Sequence, residues 1–261
     1  MSTLYTRGMK IEVLADYIST RLNLDEFVDV DASLNGLQVG RPGKEIKKVV
    51  CAVDASLATF KKAAELGSDA IFVHHGLFWG KPIAITAVHY ERIATLLSHD
   101  IALFAAHLPL DVHPELGNNA TIARKLGITE PQPFGVYHGR PIGYKGTLSQ
   151  SLDVNTIAKI LDLGPETGLH ILDFGKKEIS TIGIVSGGAP NTVQEAIDLQ
   201  LDAFLTGEPS HAMYSLCQEA GITMICGGHY ATEVFGVQQM AQDLALNLDL
   251  ETTFIALPTA L

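Results

Sequence analysis

Cysteine is scarce in this sequence, cations are outnumbered and long apolar runs are missing, and each shortage removes a class of protein. Cys51, Cys217 and Cys226 are the only cysteines, an odd and widely spaced set without a C-x-x-C pair. That argues against a disulfide framework and against a thiolate zinc site. Lys and Arg number 18 against 29 acidic residues, for a net charge of −11. Neutralising phosphates needs clustered cations, so the balance argues against general nucleic-acid binding. No run approaches the roughly 18 apolar residues that would span a bilayer. The opening Met1-Ser2-Thr3-Leu4-Tyr5-Thr6-Arg7 has no apolar leader core, so a cytoplasmic protein is expected.

What is present points elsewhere. With 261 residues, 47% of them hydrophobic and 18% charged, the chain can bury a real core as one large or two modest domains. Ten histidines and 29 carboxylates are the material of nitrogen- and oxygen-ligated metal sites. The apolar run Ile71-Phe72-Val73 reads as a buried strand that delivers His74 and His75 and then breaks at Gly76. Neighbouring side chains on a strand face opposite ways, so the two imidazoles share a site only if the strand ends there.

Around this strand the pattern is β-α-β. Ile11, Leu14, Ala15, Ile18 and Leu22 predict a helix over 9–22, and Ser33–Gly40, with two glycines, reads as a loop in which Asn35 can point at a ligand although nothing local requires it. Lys48–Asp54 is expected to be a strand, Ser56 to cap a helix that ends at Gly67, and 69–73 to be the next strand, the unit of a parallel sheet.

The unit recurs after a shift of 133 positions: Thr59, Ala63, Leu66, Asp69 and Ala70 return as Thr192, Ala196, Leu199, Asp202 and Ala203. Two further strands end alike. The run 101–106 leads to His107 with Asp111 four residues on, and 222–226 leads through Gly227 and Gly228 to His229 with Glu233 four residues on. The expected fold class is α/β, in two related α/β halves with a metal site between them. The first half is placed at residues 1–130, connecting strands and a helix at 131–180, and the second half at 181–261, with the whole forming one compact unit.

Three strand ends thus offer His74, His75, His107, Asp111, His229 and Glu233. Six such ligands exceed what one ion at an open site needs, and carboxylates can bridge, so two divalent ions per chain are expected. Zinc, iron, manganese and nickel all suit the donors. Two cations about 3.5–4 Å apart lower the pKa of a bridging water toward neutrality, which gives a hydroxide nucleophile without a side-chain base. Glu208 and His211 lie where His74 and His75 lie in the other half. They can line the same cavity as catalytic helpers, or serve as a helix cap and a surface histidine respectively. His113 and Asn118 are placed to orient ligands.

With these residues assembled, the chain resembles the NIF-three-like family, commonly labelled GTP cyclohydrolase 1 type 2 homologues, in its short bacterial form. The resemblance rests on Asn35-Gly36-Leu37-Gln38-Val39-Gly40, Val73-His74-His75-Gly76-Leu77-Phe78-Trp79, His107-Leu108-Pro109-Leu110-Asp111 and Gly228-His229-Tyr230-Ala231-Thr232-Glu233. It implies a three-layer fold of two halves, metal ligation by the six residues above, and a toroidal homohexamer assembled as a trimer of dimers. The implied activity is that of a metal-dependent hydrolase acting on a small nucleotide-like or heterocyclic substrate. The alternatives are a metal-binding or metal-delivery protein and a ring-shaped regulatory scaffold.

Overall fold

The computed structural model describes residues 8–261; the opening stretch Met1–Arg7, read above for a leader, lies outside them. The elements run β1 (Met9–Lys10), α1 (Ile11–Leu22), β2 (Gly36–Val39), β3 (Glu45–Ile46), β4 (Lys48–Asp54), α2 (Leu57–Glu65), β5 (Ala70–His75), α3 (Ala87–Ser98), β6 (Ala102–Ala105) and α4 (Leu108–Val112). They continue with α5 (Asn118–Lys125), β7 (Gln132–Tyr137), β8 (Arg140–Leu152), α6 (Val154–Ile160), β9 (His170–Asp173), β10 (Ile179–Ile184), α7 (Val193–Asp198) and β11 (Ala203–Thr206). Last come α8 (His211–Ala220), β12 (Thr223–Cys226), α9 (His229–Leu248) and β13 (Glu251–Phe254). Two compact units result. One runs to Leu110 and resumes over Gly236–Leu257; the other comprises Asp111–Phe235 and Pro258–Leu261.

The first unit is built on a five-stranded sheet in the order β13-β4-β5-β6-β2. Strands β13, β4, β5 and β6 are parallel and β2 closes the edge antiparallel to β6. Buried parallel strands need apolar residues on both faces, and β4 and β5 supply them. Val50, Ala52, Ile71 and Val73 join Leu103 and Ala105 in a cluster with Phe60 and Ala63 of α2 and Leu96 of α3. Phe72 and Phe104, of opposite parity on their strands, are also fully buried, each contributing about 1.5–3 kcal/mol of burial energy. Ser56 Oγ accepts from Thr59 N at 3.1 Å, so α2 starts at the cap the sequence predicts. Helix α1 starts two residues later than predicted because Met9 and Lys10 pair with β3. The stretch read as a loop around Asn35 contains β2, an edge strand hidden by Gly36 at its start, Gly40 just after it and a single apolar alternation.

The second unit carries a six-stranded sheet, β7-β8-β10-β11-β12-β9. Strands β10, β11 and β12 are parallel, as β4, β5 and β6 are, and β9 lies antiparallel on β12 as β2 does on β6. Alternate residues feed two cores on opposite faces: Ile182, Ile184, Leu205 and Ile225 in one, Val185, Phe204, Met224 and Cys226 in the other. The segment 131–180 supplies β7, β8 and β9 and so completes this sheet. The fold is therefore mixed α/β with two sheet-containing halves. Among the described residues no helix is long and apolar enough to cross a membrane.

The internal repeat extends to hydrogen bonds. Asp69 Oδ2 accepts from the amides of Lys47 and Lys48, and Asp202 Oδ2 from those of Ser180 and Thr181, the same positions after the shift of 133. Burial alone would raise the Asp202 pKa, but Lys176 and the Ser180 and Thr181 donors outweigh it and hold the carboxyl below its ordinary range. A depressed folded-state pKa stabilises above the unfolded value, and that contribution is lost as pH falls through the folded one. Asp202→Ala is expected to lower stability at neutral pH by about 1–3 kcal/mol, since two amides lose their acceptor. Urea denaturation should show the gap between parent and variant narrowing in acid. An unchanged midpoint at neutral pH would show that this bond is not part of what holds the sheet.

Candidate metal centre

In the first unit the histidines stand at the carboxyl ends of β5 and β6, the end of a parallel sheet where ligands bind. Strand β5 runs through both His74 and His75, whose rings lie 4.6 Å apart, and His107 lies 5.1 Å and 5.7 Å from them. Each of the three offers a ring nitrogen within 4.8 Å of the others. His74 is fully buried.

One nitrogen of each ring is already committed. His74 Nδ1 donates to the Ala106 carbonyl at 2.9 Å; a carbonyl oxygen only accepts, so the proton is on Nδ1. His75 Nδ1 donates to Asp54 Oδ1 at 2.8 Å and His107 Nδ1 to Asp31 Oδ1 at 2.9 Å. This pattern fixes the tautomer in which Nε2 carries the lone pair, the form that ligates metals. Asp54 stands beside His75 because the two are in register across β4 and β5.

Asp31 does more. It also accepts from Ser33 N, Leu108 N and Asn35 Nδ2, while Asn35 Oδ1 accepts from His107 N. Burial pushes the Asp31 pKa up, yet the bond to His107 and the donors Asn35 and Ser33 overcome it, so the carboxylate stays ionised well below its ordinary value. Asn35 thus braces His107, the second residue after β6.

The second unit presents the counterpart at β12 and α9. His229 opens α9, so Glu233 lies one turn inside the helix. His229 Nε2 stands 3.2 Å from Glu233 Oε2, and His229 Nδ1 is 2.6 Å from Glu208 Oε1. Burial alone would push the His229 pKa down, but Glu233 and Glu208 together lift it to about 9. Gly187, at φ +67°, passes so close to Glu233 and to His229 Nε2 that any Cβ there would collide. Asp111 is buried and accepts at Oδ1 from Asn118 Nδ2 at 2.9 Å and Ser186 Oγ at 3.0 Å. It brings an oxygen within 4.8 Å of a Glu233 oxygen. Buried carboxylates this close repel unless a proton or a cation stands between them.

Of the supporting residues proposed from sequence, Glu208 touches His229 and Asn118 touches Asp111. His211 is exposed at the start of α8, and His113 Nδ1 accepts from Glu115 N and Leu116 N. Asp31 and Asp54 escaped the sequence reading, and Ser186, in a Ser-Gly-Gly turn that hints weakly at anion binding, instead donates to Asp111. Asp54 carried a signal, a carboxylate ending the strand that neighbours the His75 strand; Asp31, 76 positions from His107, carried none. Burial pushes the Cys51 and Cys226 thiols up to about 12, so neither provides a thiolate.

The donor set, imidazole nitrogens held in the ligating tautomer and clustered carboxylates, fits divalent metal. Asp31→Ala should therefore lower zinc affinity by roughly 10- to 100-fold through loss of the His107 orientation. Competition with a chromophoric chelator measures it, and undiminished affinity would mean that His107 needs no brace.

A family model described as Duf34/NIF3 (NGG1p interacting factor 3) matches residues 9–260. A Deinococcus radiodurans protein described as a GTP cyclohydrolase 1 type 2 homolog is 45% identical over 232 residues, covering 88% of each chain. One of the same description from Treponema pallidum is 38% identical over 286 residues, 97% of this chain and 100% of its own. The crystal structure of TTHA1606 from Thermus thermophilus superposes with a TM-score of 0.87 at 37% identity, covering 97% of this chain and 100% of that one. This chain belongs to the DUF34/NIF3 family.

Proposed function

We propose that the chain holds two divalent ions on His74, His75, His107, Asp111, His229 and Glu233 and hydrolyses a small nucleotide-like or heterocyclic substrate with them. The observation that carries this reading is the imidazole arrangement: four rings at strand ends, each with Nδ1 against an oxygen. The clustered carboxylates Asp111 and Glu233 add the negative charge that two cations need. The description of the relatives as GTP cyclohydrolase 1 type 2 homologs supports the nucleotide-like substrate. When bound, such a pair supplies Lewis acidity and activates water for attack on a polarised carbon or phosphorus.

The chain's own residues divide the remaining work. Asp31, Asp54 and Glu208 fix ring orientation and keep the proton on Nδ1 of His107, His75 and His229. Asn118 and Ser186 orient Asp111 through hydrogen bonds to Oδ1. In this reading the protein is cytoplasmic and assembles as a ring of six copies, a trimer of dimers, with zinc, iron, manganese or nickel as the metal. Light scattering tests the ring by asking for six times the mass of one chain.

Elemental analysis of protein purified without added metal or chelator should find about two ions per chain, and clearly fewer in Glu233→Ala. A nucleotide panel should then yield a metal-dependent product that this variant does not make. Ions bound without turnover would overturn the hydrolase and leave a metal-holding protein.

The elevated His229 pKa gives a second test. In the metal-free chain the group is protonated at neutral pH, and its stabilising contribution is full below about 6.5 and lost as pH rises through about 9. Metal must displace that proton, so zinc uptake at pH 7.5 should release it, and the release should fade above pH 9. Calorimetry in buffers of different ionisation enthalpy reads the count. Uptake at pH 7.5 with no proton release would remove His229 from the ligand set.

A further inference from the structure

Trp79 is the only tryptophan of the chain, and it stands at the histidine cluster instead of in the core. Leu77 and Phe78, just before it, pack into the cluster built on β4, β5 and β6. Trp79 does not follow them. Its ring lies 4.9 Å from that of His107, nearly perpendicular at 76°, and 6.0 Å from that of His75, and 38% of the residue is exposed. A large indole left open to solvent gives up burial energy that the neighbouring core offered to Leu77 and Phe78.

The position is held, not frayed. Trp79 Nε1 donates to the Gly76 carbonyl at 3.0 Å, Leu77 N donates to Gln38 Oε1 at 2.8 Å, and Leu34 N donates to the Phe78 carbonyl at 2.9 Å. Gly76 passes so close to the Gln38 amide and Ala105 that a Cβ would collide, so the turn is pinned from both sides. With its one polar atom satisfied inside the turn, the indole presents only its π-system outward. Orientation without a solvent hydrogen bond is what an aromatic ligand needs, because stacking tolerates any planar ring but requires a fixed partner.

We infer that Trp79 is the stacking platform for a planar heteroaromatic ring of the ligand, seated beside the ions that His75 and His107 would hold. The inference rests on the metal-site reading above and specifies the ligand class. It assigns recognition of the ring to Trp79 and leaves binding of the anionic part to the metal. Base–aromatic stacking predicts a loss of roughly 5- to 150-fold in affinity when the ring is removed.

Zinc-loaded protein titrated with guanosine 5′-monophosphate and with ribose 5-phosphate separates the two contributions, since the second probe keeps the phosphate and the sugar and has an anomeric hydroxyl in place of the base. In the parent, the nucleotide should bind the more tightly and change the fluorescence of Trp79. Trp79→Leu should bring nucleotide affinity close to that of ribose 5-phosphate, whose own affinity should stay constant, and Trp79→Phe should keep most of the preference. Equal binding of the probes in the parent would overturn the platform, as would an equal loss for both probes or a lower zinc content in Trp79→Leu, either of which would make Trp79 a brace for His107. Zinc content is measured independently. A parent that holds no zinc would overturn the metal reading itself, whereas zinc held without preference for the base would overturn the platform alone.

Discussion

Four hydrogen bonds donated by imidazole Nδ1 atoms set what the candidate centre can do. An unanchored imidazole interconverts between tautomers and rotates, and a ligand of that kind binds metal weakly. Here the Ala106 carbonyl, Asp54, Asp31 and Glu208 each hold one ring. Three of these acceptors are carboxylates, which makes the imidazole more basic and a better donor at Nε2. The acceptors are themselves held in place by the fold: Asp54 by strand register with His75, Asp31 by three further donors.

The duplicated strand–helix–strand explains why comparable chemistry arises twice. Parallel strands β4, β5 and β6 and their counterparts β10, β11 and β12 all end toward the carboxyl edge of their own sheets, where side chains leave the ladder. Asp69 and Asp202 tie equivalent amides in each, so the repeat is one of hydrogen bonding as well as of sequence. The halves then diverge. Beside β4 lies the parallel β13, whereas beside β10 lies the antiparallel β8. Where the first unit has His75, the second has Glu208, and an imidazole brace replaces an imidazole.

Much of this is legible in the chain before it folds. Strands before His74 and His107 announce themselves as apolar runs that stop at a histidine, the run 222–226 reaches His229 through Gly227 and Gly228, and the recurrence of Thr59 through Ala70 exposes the repeat. Helices α3 and α8 give a weaker signal, because of their stripe residues, Ile93 with Leu96 and Met213 with Leu216 and Cys217, only Leu96 and Cys217 are fully buried. The six proposed ligands come from the ends of runs and are readable locally. Their partners are not: Asp31 reaches His107 across 76 positions and Ser186 reaches Asp111 across 75, contacts that exist only once the chain has folded. Trp79 is conspicuous in the sequence, but its exposure beside His107 follows from a turn pinned by Gln38, 39 positions from the Leu77 amide it receives.

The central claim is that His74, His75 and His107 act with Asp111, His229 and Glu233 on one pair of ions. Anomalous scattering from crystals of the zinc-loaded protein tests this most directly. The account predicts two peaks per chain, about 3.5–4 Å apart, with ligand atoms of all six residues around them. A single peak held by the three histidines alone, or two peaks too far apart to share a ligand, would contradict it.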